Sequence, residues 1–431
     1  MILTVKSAFF LKGKIRLPAS KSYSIRAFMI AACGGTSTII DPSNCDDAKA
    51  AVRVIKSLGA QVKEVRKGLM SYWTIVANKQ RPQLSRISVK ESGTVLRFLL
   101  PLLALCGKNS LVIGEGTLRG RPNLFLTKTL RAMGVNIKGQ GKDESIPIHL
   151  KGGTLRGGNV TIDGSLSSQF VSALLIASPQ LQQDTRLTLE GRRLVSTDYI
   201  TMTCQILEQS GVKIGRRGIR NYQIKGKQEF KGLKNFAVPS DYGLAAFLMA
   251  AAVLNNSEVT LNGNLRDDLV QADGHIFSFL DRMGANLYKT SKSIQVKGPF
   301  ELAGGDFSLK DCPDLVPIMT VLALFARGRT RLYNIGHARV KESDRITDLR
   351  TELLKVGAKI TEKKDELIIE PRDEYKNDCL LDPHKDHRLA MAFAVLGLKI
   401  GVRISDIECT NKSYPDFVRH FKMIRAVVRK R

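Results

Sequence analysis

SLGAQV (57–62), AMGVNI (132–137), QSGVKI (209–214), RMGANL (282–287) and KVGAKI (355–360) are five versions of one short phrase. Their glycines, Gly59, Gly134, Gly211, Gly284 and Gly357, stand 75, 77, 73 and 73 residues apart. Each closes a stretch of helical period, where a left-handed C-cap favours glycine. Working outward, a β-like run opened by a small or polar residue recurs between them: TSTII, NSLVI, TRLTL, SEVTL, TRLYN and GVRIS. Before each run lies a strongly apolar helical pattern: SIRAFMIAA, TVLRFLLPLLAL, SQFVSALLIA, GLAAFLMAAAVL, LVPIMTVLALFA and HRLAMAFAVLGL. A period above 70 residues is too long for a solenoid and suits a whole α/β subdomain. The expected fold is therefore α/β, with six repeated units, three to a lobe. Helices apolar on every side belong inside, and sheets outside. Pro18 and Pro239 interrupt the pattern, so the expected lobes are residues 18–235 and, discontinuously, 1–17 with 236–431.

Polar or charged leaders precede the apolar helices: ASKSYS, ESG, SLSS, PSDY, KDCPD and HKDH. Any one of them is what an ordinary N-cap needs. Six in register, several beside Lys or Arg, favour a shared anion cleft lined by positive helix ends. The stretch NIGHARVKESDR (334–345) adds Arg339, Lys341, Glu342, Asp344 and Arg345 at a turn between two helical patterns. Cations around one glutamate suit holding an anion while a carboxyl group moves a proton.

The bulk numbers bound the function. A chain of 431 residues, 43% hydrophobic and 25% charged, has room for two or three ordinary cores. The net charge of +27 invites a nucleic-acid reading, but the cations are spread along the chain and aromatics are only 6%. A small, highly anionic substrate accounts for the basic residues of the candidate site. Seven scattered cysteines without a CxxC pair read as reduced thiols, and no zinc pattern or HExxH occurs. Neither a signal peptide nor a bilayer-spanning run is visible, so a cytoplasmic enzyme is expected.

Eight motifs, in order and over the full length, resemble the signatures of the 5-enolpyruvylshikimate-3-phosphate (EPSP) synthase family. They are LPASKSYSIRA (17–27), ESGTVLRF (91–98), RGRP (119–122), SSQFVSALL (167–175), DCPDLVPIM (311–319), RVKESDRI (339–346), DHRLAMAFA (386–394) and NKSYPDF (411–417). The resemblance implies a two-lobed enolpyruvyl-transferase fold. It also implies transfer of the enolpyruvyl group of phosphoenolpyruvate to the 5-hydroxyl of shikimate 3-phosphate, with release of phosphate. No metal or organic cofactor is implied, nor a nucleic-acid or membrane partner, and a monomer is the expected state.

Carried over residue by residue, the resemblance gives Lys21 contact with both substrates. Shikimate 3-phosphate falls to Ser22, Arg26, Ser167, Ser168, Gln169 and Ser196, with Lys341 touching it as well. Phosphoenolpyruvate falls to Gly93, Arg121, Gln169, Arg345, Arg388 and Lys412. Asp314, facing the 5-hydroxyl, and Glu342, near the forming methyl group, are the implied proton-transfer pair. Taken alone, Asp314 also reads as a helix cap and each arginine as a solvated charge. Several residues depart from the family pattern: Ala19, Ile25, Glu91, His337 and the run Tyr242-Gly243-Leu244. Glu91 weighs most, because a carboxylate near the phosphoenolpyruvate residues opposes anion binding unless an Arg pairs with it. Two alternatives stand beside this reading. One is the sister transferase acting on UDP-N-acetylglucosamine, disfavoured by Lys21-Ser22 in place of Lys-Asn. The other is a catalytically impaired homologue.

Overall fold

The computed structural model describes residues 1–68, 70–78 and 85–430. They form two compact units, one of Met1–Pro18 with Pro239–Arg431 and one of Ala19–Val238. The second crossing falls three residues later than the proline-based reading placed it. Phe236 and Ala237 pair in parallel with Ile39 and Ile40, and the Val238 amide donates to the Ile40 carbonyl at 3.0 Å. Those bonds keep 236–238 with the middle unit.

Among the described residues each unit has three four-stranded sheets of one topology. A parallel pair is followed by two antiparallel pairings. In the middle unit, for example, Gly158–Asp163 runs parallel to Thr185–Glu190, which pairs antiparallel with Asn221–Ile224. In the other unit Leu3–Val5 lies between Val402–Ile404 and Val428–Lys430, so the chain's first strand completes its last sheet. Alternating burial along Thr185–Glu190 and Ser257–Asn262 puts one face of each strand on the core.

Three helices fill the interior of each unit among the described residues: α1 (Lys21–Ala31), α2 (Gly93–Ala104) and α3 (Ser168–Ala177) in the middle unit, and α4 (Tyr242–Leu254), α5 (Val316–Leu324) and α6 (His387–Ile400) in the other. Every residue of α4 and α5 is buried, as helices apolar on all sides require. Amphipathic helices such as Asp46–Ser57 and Thr347–Lys355 lie further out, with one face on the core. Their closing glycines adopt the left-handed conformation, with φ between 85° and 97° at Gly59, Gly134, Gly211, Gly284 and Gly357. The sixth repeat hides the phrase. After the Phe417–Met423 helix the left-handed position is taken by Arg425, with φ 66°.

Candidate active site

The unit that holds both termini carries a buried cluster of opposite charges at the starts of its inner helices. Two of its members come from the leader of α6. Asp386 caps that helix, accepting from the Arg388 amide at 2.8 Å, and is itself fully buried. Its other oxygen accepts from Arg345 Nε at 2.7 Å. Arg345 is 1% exposed and its remaining nitrogens reach Asp314 Oδ1 at 2.5 Å and Glu342 Oε2 at 3.0 Å. Arg388 donates to Asp314 Oδ2 at 3.0 Å and to the Gly243 carbonyl at 2.8 Å. Asp314 thus binds two arginines rather than capping a helix. Two guanidiniums and three carboxylates, all on inner-helix leaders or the loop 341–345, make one network.

Burial alone works against charge here, and the neighbours decide the outcome. Burial opposes ionisation of Asp314, yet Arg388 and Arg345, with Lys341, hold its carboxyl well below the usual range. Burial likewise opposes the Arg345 charge, but Asp386, Asp314 and Glu342 raise its pKa well above normal. His337, one turn before Lys341, is pushed down to about 3 by burial and by the Lys341 charge. It is a neutral imidazole at working pH. Lys412 is buried in the 3-10 turn Ile407–Lys412 of the same unit.

The loop carrying Lys341, Glu342 and Arg345 is fastened from its outer side. Arg339 donates to both Asp344 oxygens at 3.1 and 3.0 Å, and to the carbonyls of Lys363 and Lys364. Asp344 accepts in turn from the Ile346 and Thr347 amides, both at 3.1 Å, at the start of the next helix. The charged stretch therefore divides by role: Arg339 and Asp344 pin the loop, while Glu342 and Arg345 turn into the buried cluster.

The middle unit builds its expected anchors differently. Ser20, Ser92 and Ser167 cap α1, α2 and α3, their hydroxyls accepting from Tyr23, Val95 and Gln169 amides. Lys21, the first residue of α1, pairs with Asp47 at 3.1 Å. Arg26 is buried among neutral acceptors, donating to the Ser22 carbonyl, Thr203 Oγ1 and the Tyr199 carbonyl at 3.0, 2.8 and 3.0 Å. Burial lowers its pKa to about 10, still above working pH. Gln169 is held between α2 and α3: Arg97 donates to its Oε1 at 2.6 Å, and its Nε2 donates to Thr94 Oγ1 at 3.0 Å. Ser168 is buried beside it, and Ser196 is buried with a left-handed φ of 56° ahead of the Thr197–Gln209 helix. Arg121 lies across Gly93; a Cβ there would meet its Nη1 at 2.9 Å.

Glu91 is engaged as well. Its Oε1 accepts from the Thr117 amide at 2.8 Å and the Thr117 hydroxyl at 2.5 Å. The departure from the family pattern thus ties α2's leader to the turn before Arg121. Asp386, Asp47 and Arg97 were given no role from sequence. Asp386 had a visible signal, an acid two residues before Arg388 in a capping position. Asp47 and Arg97 had none, since each matters only through partners 25 or more residues away.

The family described as EPSP synthase (3-phosphoshikimate 1-carboxyvinyltransferase) matches residues 6–421. A 3-phosphoshikimate 1-carboxyvinyltransferase of Methanococcus aeolicus is 34% identical over 426 residues, covering 96% of this chain and 97% of its own. That of Clostridium beijerinckii is 34% identical over 425 residues, covering 97% and 96%. An EPSP synthase structure from Acinetobacter baumannii aligns over 100% of both chains with a TM-score of 0.79 and 25% identity. The enolpyruvyl transferase NikO of Streptomyces tendae, 17% identical with a TM-score of 0.78 over 99% and 98% of the two chains, shares the fold. With a family match across nearly its whole length and relatives a third identical end to end, the chain belongs to the EPSP synthase family.

Proposed function

We infer that the two clusters serve one reaction, the transfer of the enolpyruvyl group of phosphoenolpyruvate to the 5-hydroxyl of shikimate 3-phosphate. The observation that carries this reading is Asp314, a carboxylate kept ionised by two buried arginines and adjacent, through Arg345, to a second carboxyl group. Addition followed by elimination needs a group to take a proton and another to give one. Asp314 accepts the 5-hydroxyl proton as the oxygen bonds to C2 of phosphoenolpyruvate. Glu342, entering this step in its acid form, gives its proton to C3, and the methylene becomes a methyl group while Glu342 is left as the carboxylate. In the second half a methyl proton returns to Glu342 while the C2–O bond to phosphate breaks. Fixed guanidiniums stabilise the charge that develops without having to reorganise.

Substrate roles follow the same division. On the middle unit Ser22, Arg26, Ser167, Ser168, Gln169 and Ser196 take shikimate 3-phosphate, Gly93 and Arg121 take phosphoenolpyruvate with Gln169, and Lys21 touches both. On the other unit Lys341 serves shikimate 3-phosphate with Asp314, and Arg345, Arg388 and Lys412 serve phosphoenolpyruvate. Hydroxyls and amides at helix starts suit a phosphate, and guanidinium forks suit paired oxygens. Among the described residues no helix is long and apolar enough to cross a membrane. We place the enzyme in the cytoplasm as a monomer on the family resemblance.

The test is direct. Purified protein given both substrates should release phosphate, and Lys21→Ala or Glu342→Ala should lower turnover by about 10²- to 10⁴-fold. Absence of turnover at saturating substrates would point to the impaired-homologue alternative. Turnover with UDP-N-acetylglucosamine in place of shikimate 3-phosphate would favour the sister transferase.

A further inference from the structure

One buried carboxyl group of this unit has no part in the chemistry above. Asp273 sits in the 3-10 turn Ala272–Gly274, is 7% exposed at its side chain, and lies 3.7 Å from Arg388 Nη2. Its Oδ2 packs so closely on α4 that a Cβ at Gly243 would be 2.0 Å away. The same hypothetical Cβ would meet Arg388 Nη1 at 2.8 Å, so glycine at 243 is what lets carboxyl and guanidinium share the space. The nitrogen facing Asp273 is also the one that donates to Asp314 at 3.0 Å. An incoming anion must therefore compete for a donor already divided between two carboxyl groups.

We propose that Asp273 is a positioning residue for phosphoenolpyruvate: ionised, it draws Arg388 back from the substrate, and protonated, it releases the guanidinium. The inference rests on the reading of Arg388 as a phosphoenolpyruvate ligand. The charged and titratable groups around Asp273 are Arg388 from α6, Asp314 from the turn before α5, Asp241 from the cap of α4, and Arg345. Tyr242 presents its ring on the same helix, with Lys289 over it, and His275 on the following helix is exposed and stacked on Phe279. Burial, against the attraction of Arg388 and with Asp314 and Asp241 adding to it, pushes the Asp273 carboxyl up to about 7. It therefore changes charge within the working range, while Asp314 does not.

The sign follows from competition. As pH rises through about 7 the second carboxylate appears beside Arg388, and the KM for phosphoenolpyruvate should climb. With saturating shikimate 3-phosphate, the wild-type KM should rise ~3- to 10-fold between about pH 6 and about pH 8.5 beyond that of Asp273→Asn, with kcat following one profile in both. The substrate's own phosphate ionisation is common to both proteins and cancels in the ratio. Parallel KM profiles would overturn the proposal. Asp273→Ser, equally unable to ionise, repeats the comparison should the amide not be accommodated. Arg388→Lys separates the two levels of the argument. A KM raised at every pH upholds Arg388 as a ligand, so parallel Asp273 profiles would then sink only the present inference; an unchanged KM would sink the ligand reading beneath it.

Discussion

Arg345, at the end of the loop 341–345, and Arg97, on α2, are both buried arginines, one in each unit, and their surroundings differ in kind. Arg345 meets three carboxylates, Asp314, Glu342 and Asp386. Arg97 meets neutral oxygens: Asn123 Oδ1, Gln169 Oε1 and the Pro122 carbonyl. The first arrangement helps to hold the Asp314 carboxyl ionised, which suits proton transfer. The second spends a guanidinium on orienting an amide, which suits recognition. One repeated fold thus supplies two kinds of helix-start chemistry: PSDY, KDCPD and HKDH carry acids, ASKSYS and SLSS carry hydroxyls, and ESG commits its acid, Glu91, to Thr117.

The comparison breaks most sharply on stability. Removing Arg345 strands Asp386 and Glu342 in the interior without their counter-ion, and truncating one partner of a buried pair costs about 3–5 kcal/mol. Removing Arg97 leaves neutral acceptors, at about 1–3 kcal/mol. Urea unfolding at neutral pH should therefore rank Arg345→Met well below Arg97→Met. Acidification should then narrow the gap, because stranded carboxylates can take up protons and amide oxygens cannot. Equal losses at every pH would show that the two arginines are alike after all.

A smaller effect sharpens the recognition side. Gly93→Ala places a methyl group 2.9 Å from Arg121 Nη1, a flexible side-chain end that can yield by a few tenths of an ångström. Folding should be untouched, while the displaced guanidinium raises the KM for phosphoenolpyruvate by roughly 10-fold, equivalent to about 1.4 kcal/mol. An unaltered KM would remove Arg121 from the phosphoenolpyruvate residues. Glu91→Gln offers the control: the Glu91 carboxylate is held by Thr117, so neutralising it should change that KM less than about twofold.

Much of this was legible in the chain because it repeats. Five glycines at near-equal spacing mark the ends of the outer helices, and fully apolar runs mark the inner ones, so six units could be read before any coordinates. The sixth closing phrase could not, since Arg425 tolerates the left-handed turn that the others give to glycine. Individual site residues such as Lys21, Asp314, Glu342 and Arg388 stood in recognisable motifs. Their electrostatic partners did not, because a pair such as Arg388 and Asp273 is separated by more than a hundred residues and exists only after the inner helices pack. Sequence also left Asp314 open as a helix cap, whereas its carboxylate meets Arg345 and Arg388 instead.

His337 probes the charged loop from behind. Its side chain is buried next to Lys341, and both burial and that cation push its pKa to about 3. Unfolded, the imidazole would titrate near its ordinary value of about 6.5. A group whose folded pKa is depressed contributes stability that is intact above the unfolded value and is lost as pH falls toward the folded one. His337 should therefore weaken the fold progressively below about pH 6.5, by up to ~1.4 kcal/mol per pH unit once well below it. Asp273 pulls the other way over part of that window, its raised pKa favouring the folded state as pH falls from about 7 toward its unfolded value near 4. Only a difference between proteins isolates the histidine. The urea midpoint of His337→Asn, which cannot take up a proton, should fall less than wild type between about pH 6.5 and about pH 5, a gap of ~1–2 kcal/mol. If the two proteins lose stability in parallel, the imidazole is reachable by solvent in the folded enzyme, and the loop behind Lys341 is looser than the Arg339–Asp344 fastening allows.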